Sequence, residues 1–122
     1  MKYDLNANKF KPEIIYSIEK GEILISGYAI FESDKEYIQI NLWLDEYLTQ
    51  NKDNITVIFK IKYLNSLAVK LFTKLLIRLK EKFDSKNLKV IWYYYDDNIL
   101  ENVDDIEFIT DLKISKVLVN EE

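Results

Sequence analysis

Apolar and polar positions alternate along this chain in two rhythms, one of strands and one of helices. Between Pro12 and Ser26, "PEIIYSIEKGEILIS" holds two short apolar runs on either side of "EKGE". Two strands joined by a tight turn read this way, with Gly21 supplying the positive φ the turn needs. Gly27 is expected to close the second strand, so that both glycines of the chain fall at turns. From Ser33 to Gln50 the rhythm changes. Ile40, Trp43, Leu44, Tyr47 and Leu48 recur at the spacing of a helix with one buried face. Ser33, with Glu36 three residues on, has capping-box spacing at its start. "NKDN", residues 51–54, then breaks the pattern.

Ile55 to Tyr63, "ITVIFKIKY", is rich in β-branched and aromatic residues and reads as a strand buried on at least one face. The best-defined helix follows, with Ala68, Leu71, Phe72, Leu75, Leu76, Leu79 and Phe83 on its inner side. Asn65 and Ser66 stand at the junction, where either side chain is suited to accept from the first free N–H groups. Lys70, Lys74 and Arg78, four residues apart, form a basic strip on this helix. Leu88 to Tyr95, "LKVIWYYY", is a further strand, and Asp96 to Glu107, "DDNILENVDDIE", reads as a solvated acidic loop at its end. "LKISKVLV", Leu112 to Val119, is an edge strand or a short helix. Strands alternating with helices imply an α/β sandwich with a mixed sheet and a small hairpin at one edge. The 122 residues fit one domain, 1–122, with a core of about 12–119.

Composition narrows the function classes. At 48% hydrophobic and 14% aromatic the chain buries a true core. No apolar run reaches the roughly 18 residues a membrane helix needs, and the first residues lack the apolar stretch of a signal peptide. A cytoplasmic location is the expectation. Without His or Cys, Ser-His-Asp and Cys-His catalysis are excluded, together with His- and thiolate-based zinc sites. The commonest general base near neutral pH is missing. A net charge of -4 argues against nucleic acid as a partner. The acidic segment from Asp96 to Glu107 has the oxygen ligands for Mg²⁺, but a solvated loop or a rim steering a basic partner accounts for it more simply. Trp92 to Tyr95 offers aromatic rings for base stacking, yet two aspartates follow, and packing on both faces of the sheet is the simpler expectation.

"EIIYSIEKGEILISGYAIFES", "WLDEYL", "ITVIFKIKYLNS" and "VIWYYYDDNILENVDDIEF" occur in this order from about Pro12 to Phe108. As an ordered set they resemble the regulatory phosphoprotein family typified by SiaC. The resemblance implies a STAS-like fold similar to anti-anti-sigma factors, no enzymatic activity and no cofactor. It implies a partner switch, in which an anti-sigma-type serine kinase phosphorylates the hydroxyl after the Asn and a PP2C-type phosphatase removes the group. The unmodified form then binds and activates a target, a diguanylate cyclase in the typifying system. Carried onto this chain, the acceptor is Ser66, and the partner surface comprises Tyr63, Asn65, Ser66, Leu67, Lys70 and Lys74. Where the family continues with serines, this chain has Leu67 and Ala68, so Ser66 is the only hydroxyl in the turn. After Gly27 it has Tyr28 and Ala29 in place of the family's Ser, and "VDDIEF" replaces Gly-Glu-Asp-Phe. The loss of the neighbouring serines suits an alternative, a constitutive interaction or scaffold domain without the phospho-switch.

Overall fold

The computed structural model describes residues 2–3, 10–50 and 53–120. Its six strands and three helices run in the order β1 (Lys2–Tyr3), β2 (Glu13–Ser17), β3 (Glu22–Ala29), α1 (Lys35–Leu48), β4 (Ile55–Leu64), α2 (Ser66–Lys82), β5 (Leu88–Tyr94), α3 (Asp97–Thr110) and β6 (Ile114–Leu118). The strands form one mixed sheet in sequence order. β1, β2 and β3 pair antiparallel, and β3 to β6 pair parallel. The hairpin between β2 and β3 turns on Gly21, at φ 64°. Residues 51 and 52 of the expected break before β4 lie outside the described residues.

Three successive parallel crossovers step the same way across the sheet, and with the usual right hand they lay their helices on one face. The burial pattern agrees. Ile14 and Tyr16, Ile23 and Ile25, Val57, Phe59 and Ile61, and Val90 and Trp92 all point into the core. The inner helix positions expected from spacing are buried there too. Phe59 stacks on Trp92 with ring centroids 4.0 Å apart, and Phe72 meets Phe59 edge-on. The other sheet face carries half-buried Ile15, Leu24, Ile58 and Ile91, and no described helix covers it.

Three expectations change. The acidic segment is a helix, α3, and not a loop: Ile99, Val103 and Ile106 repeat at helical spacing and are buried. Of the aromatic run only Trp92 is enclosed in the core. Tyr93 and Tyr95 are half-buried, with the Lys60 amine 5.1 Å from the Tyr93 ring centre and the Lys62 amine 5.7 Å from that of Tyr95. The core is therefore packed on one side of the sheet, and each of these half-buried tyrosines already holds a cation. Gly27 does not end a strand. It lies inside β3 at φ 108°, where the pairing with β4 slips by one residue.

That slip decides which side chains reach the functional end of the sheet. Gly27 pairs with Ile61, but Tyr28 pairs with Tyr63, leaving Lys62 as the extra residue of a bulge. Up to Ile61 the odd-numbered residues of β4 point inward. Beyond it Leu64 enters the core and Tyr63 turns outward beside Tyr28, the two being 53% and 40% exposed. Without the bulge Tyr63 would enter the core and Leu64 would face water.

Candidate functional site

The polypeptide leaves β4 at Leu64 and enters α2 at Ser66, so one residue makes the junction. That residue, Asn65, is extended at φ -90°, ψ 175° and caps the helix, its Oδ1 accepting from the Ala68 N–H at 3.0 Å. The cap therefore belongs to Asn65 and not to Ser66. Asn65 does more than cap. Its Nδ2 donates to the Phe31 carbonyl at 2.8 Å, and its Oδ1 also accepts from the Phe31 N–H at 3.3 Å. Its own N–H donates to Ala29 O at 3.1 Å. One side chain thus binds the start of α2 to the connection between β3 and α1.

That connection is braced in turn. Glu36 accepts from the Glu32 and Ser33 N–H groups, both at 3.1 Å, and from Lys11 Nζ at 2.8 Å. The Ser33 hydroxyl accepts from the Lys35 N–H at 3.3 Å and not from that of Glu36, so only the Glu36 half of the expected capping box forms, and Asp34 occupies the cap position. Burial opposes the Glu36 charge, but Lys11 and the backbone donors outweigh it and hold the carboxyl near pKa about 2.

With Asn65 fully engaged, Ser66 is left at the first position of α2, exposed, its hydroxyl without a partner among the described residues. Of the other residues expected at this surface, Tyr63, Lys70 and Lys74 are exposed and Leu67 is half-buried against the core. The structure brings Tyr63, Asn65, Ser66 and Leu67 together, with Lys70 one turn further along α2. The basic strip then diverges from the turn. Lys74 Nζ sits 5.7 Å from the Tyr37 ring centre, and Arg78 binds Asn41 and Asp45, all on α1. Arg78 fastens two helices together.

The acidic residues of α3 have structural work of their own. Asp96 caps the helix, accepting from the Ile99 N–H at 3.0 Å. Asp104 and Glu107 hold Lys116 Nζ at 2.8 and 2.7 Å, and Glu107 also accepts from the Ile114 N–H at 2.7 Å. These contacts pin the edge strand β6 to α3. The hydrogen bond from Lys116 draws the Glu107 carboxyl below its usual range, and the two carboxylates raise the lysine. Among the described residues no group of three or more acidic side chains is arranged to hold a metal ion. Nor, among them, is any helix long and apolar enough to cross a membrane.

Sequence reasoning missed three neighbours of the turn. Tyr28 comes beside Tyr63 only through the bulge, which the lone signal of a glycine inside a strand could have announced. Asn98 and Asn102 of α3 line a groove of about 540 Å³ together with Tyr63, Ser66 and Val69. Their position was hidden by reading the acidic segment as a loop. The helical spacing of Ile99, Val103 and Ile106 was the available signal.

No curated relative matches the chain in sequence. Solved structures do match in fold. Apo-SiaC from Pseudomonas aeruginosa superposes with a TM-score of 0.77 at 16% identity, over 98% of this chain and 99% of that one. A chain in the crystal structure of the diguanylate cyclase SiaD in complex with its activator SiaC, from the same organism, gives 0.80 at 15% identity over 98% and 99%. Identities this low establish a shared fold, a mixed sheet with helices against it and a hairpin at its N-terminal side. Residues 5–118 match the family described as SiaC family regulatory phosphoprotein. That match covers most of the sequence, and the chain belongs to the SiaC family of regulatory phosphoproteins, a signalling family and not an enzymatic one.

Proposed function

We propose that this chain is a cytoplasmic partner-switching protein whose binding surface is the β4–α2 turn and whose switch is phosphorylation of Ser66. The observation that carries this reading is the division of labour at the junction. Asn65 makes the side-chain bonds that hold the turn, and Ser66, exposed and without a side-chain partner among the described residues, is free for chemistry. An anti-sigma-type serine kinase forms the Oγ–phosphorus bond as the terminal phosphoanhydride of a nucleoside triphosphate breaks, the hydroxyl proton passing to the kinase's base. A PP2C-type phosphatase returns the hydroxyl with water and releases inorganic phosphate.

Unmodified, the surface of Tyr63, Asn65, Ser66, Leu67, Lys70 and Lys74 docks onto a target and activates it. A diguanylate cyclase is the target class in keeping with the SiaC–SiaD complex. Modification adds about -1.5 to -2 charges at the centre of that surface. Burying such a charge unpaired costs several kcal/mol, and each 1.4 kcal/mol is about tenfold in affinity. The switch needs no cofactor.

The test is phosphopeptide mass spectrometry on the Ser66 peptide of the protein from its own cells, with and without the phosphatase. A phosphate on Ser66 that accumulates without the phosphatase supports the switch, and Ser66→Asp should then lose target binding that Ser66→Ala keeps. A hydroxyl that stays bare in both backgrounds removes the switch. The replacement of the family's serines by Leu67 and Ala68 favours the second reading in that event, a constitutive binding domain.

A further inference from the structure

Asparagine is a poor residue for the interior of an exposed helix, weaker than Ala by roughly half a kcal/mol. α3 nevertheless carries one there, Asn102, and a second asparagine, Asn98, lies in its first turn, four residues earlier and hence on the same face. Neither side-chain amide has a hydrogen-bond partner among the described residues. Two other described asparagine side chains are engaged: Asn65 fully, and Asn41, whose amide donates to Tyr37 O and whose Oδ1 accepts from Arg78. Asn98 and Asn102 instead line the groove whose opposite wall is Ser66.

We propose that Asn98 and Asn102 form a receptor, within the same chain, for the phosphoryl group of Ser66. The inference rests on the reading of Ser66 as a phosphoacceptor and names what that group would meet. Each amide offers two N–H donors, and a phosphoryl group carries three acceptor oxygens. It extends the Ser66 side chain into the groove the amides line.

Neutral donors also suit a switch better than a basic clasp. An arginine here would neutralise the new charge and blunt its effect on a partner. Amides fix the phosphoryl group in place and leave its charge at the surface. Asp97 and Glu101, exposed on the same helix beside the two asparagines, add to that negative field. The cation that competes for the group is Lys70, one turn along α2 from Ser66.

The experiment uses the full chain with phosphoserine introduced at position 66 by genetic encoding, so that no kinase is needed. The side-chain amide signals of Asn98 and Asn102 are followed by ¹⁵N NMR, and backbone hydrogen exchange is followed along α3. Relative to the unmodified chain, both amide signals should move, and exchange in the first two turns of α3 should slow by about tenfold. Asn98→Ala with Asn102→Ala should remove the slowing and leave the unmodified chain folded with its normal exchange pattern.

Unchanged amide signals, slowing that survives the double substitution, or slowing abolished by Lys70→Ala alone would each overturn the receptor. Its failure is separable from that of the switch. Ser66 left bare in cells removes the switch whatever the NMR shows. Null NMR with Ser66 phosphorylated in cells removes only the receptor.

Discussion

Two neighbouring strands of the sheet end in nearly the same device. β4 runs into α2 through Asn65, and β5 runs into α3 through Asp96. In both, an extended residue caps the helix by accepting from the N–H three residues on, at 3.0 Å. There the likeness stops. Asp96 spends its side chain on the cap, and Asp97 follows in the first turn, so the positive end of the α3 dipole meets negative charge at once. Asn65 is uncharged, no acidic residue follows it in the first turn of α2, and its amide reaches across to Phe31 as well. One junction is complete in itself. The other is rigid in hydrogen bonding and open in charge. A site that gains a negative group by modification is best built this way, because the incoming charge meets a favourable dipole without displacing any bond that holds the turn.

The comparison is broken most severely at the caps. Asp96→Ala removes a single cap bond and should cost about 1 kcal/mol of stability. Asn65→Ala removes the equivalent bond and also strips the Phe31 N–H and carbonyl of their partner, each loss adding about 1 kcal/mol or more. The expected total is about 3 kcal/mol, read from urea denaturation of the two variants side by side. Equal losses would mean that the Phe31 contacts contribute nothing and that the junctions are alike after all.

Next in size is the acid response of the brace behind Asn65. Glu36 is held near pKa about 2 against an ordinary 4.5, and its side chain is only 12% exposed. A depressed carboxyl stabilises the fold fully above its unfolded pKa and loses that contribution as pH falls through its folded one. The window is therefore from about 4.5 down to about 2. The stake is about 2 to 3 kcal/mol, from 1.36 kcal/mol for each pKa unit with an allowance for solvent screening. Glu36→Gln should flatten the stability profile across that window. Parallel profiles for the two chains would show that Lys11 and the backbone donors do not favour the charged form.

These contrasts also mark what the sequence could disclose. Both helices flanking β4 announce themselves by spacing, because burying one face fixes a period of 3.6 whatever the surroundings. α3 carries the same signal in Ile99, Val103 and Ile106, but its many carboxylates suggest solvent. The structure spends three of them on internal bonds: Asp96 on the cap, Asp104 and Glu107 on Lys116. Ser66 and its neighbours were legible through the resemblance and through the chemistry of helix starts. The roles of Asn65 and Ser66 were not separable, since both residue types cap helices and only the reach to Phe31, thirty-four residues away, decides between them. Tyr28 and the two groove asparagines depend on strand register and on which face of a helix turns inward. Both are set by tertiary packing and have no local sequence rule.

The smallest expected effect sharpens the comparison most directly, by exchanging its charges. Ser66→Asp gives α2 the first-turn carboxylate that α3 already has and should raise stability by about 0.5 kcal/mol in dilute buffer. Asp97→Asn takes that carboxylate from α3 and should lower stability by a similar amount. Both effects should fade together in 1 M salt, where screening shortens to about 3 Å. If Ser66→Asp destabilises instead, the open charge at α2 is not a vacancy waiting for a phosphoryl group, because the turn then repels what the switch requires. If it stabilises, a negative group at position 66 is compatible with the fold, and any loss of target binding in the same variant must arise at the docked surface and not from damage to the domain.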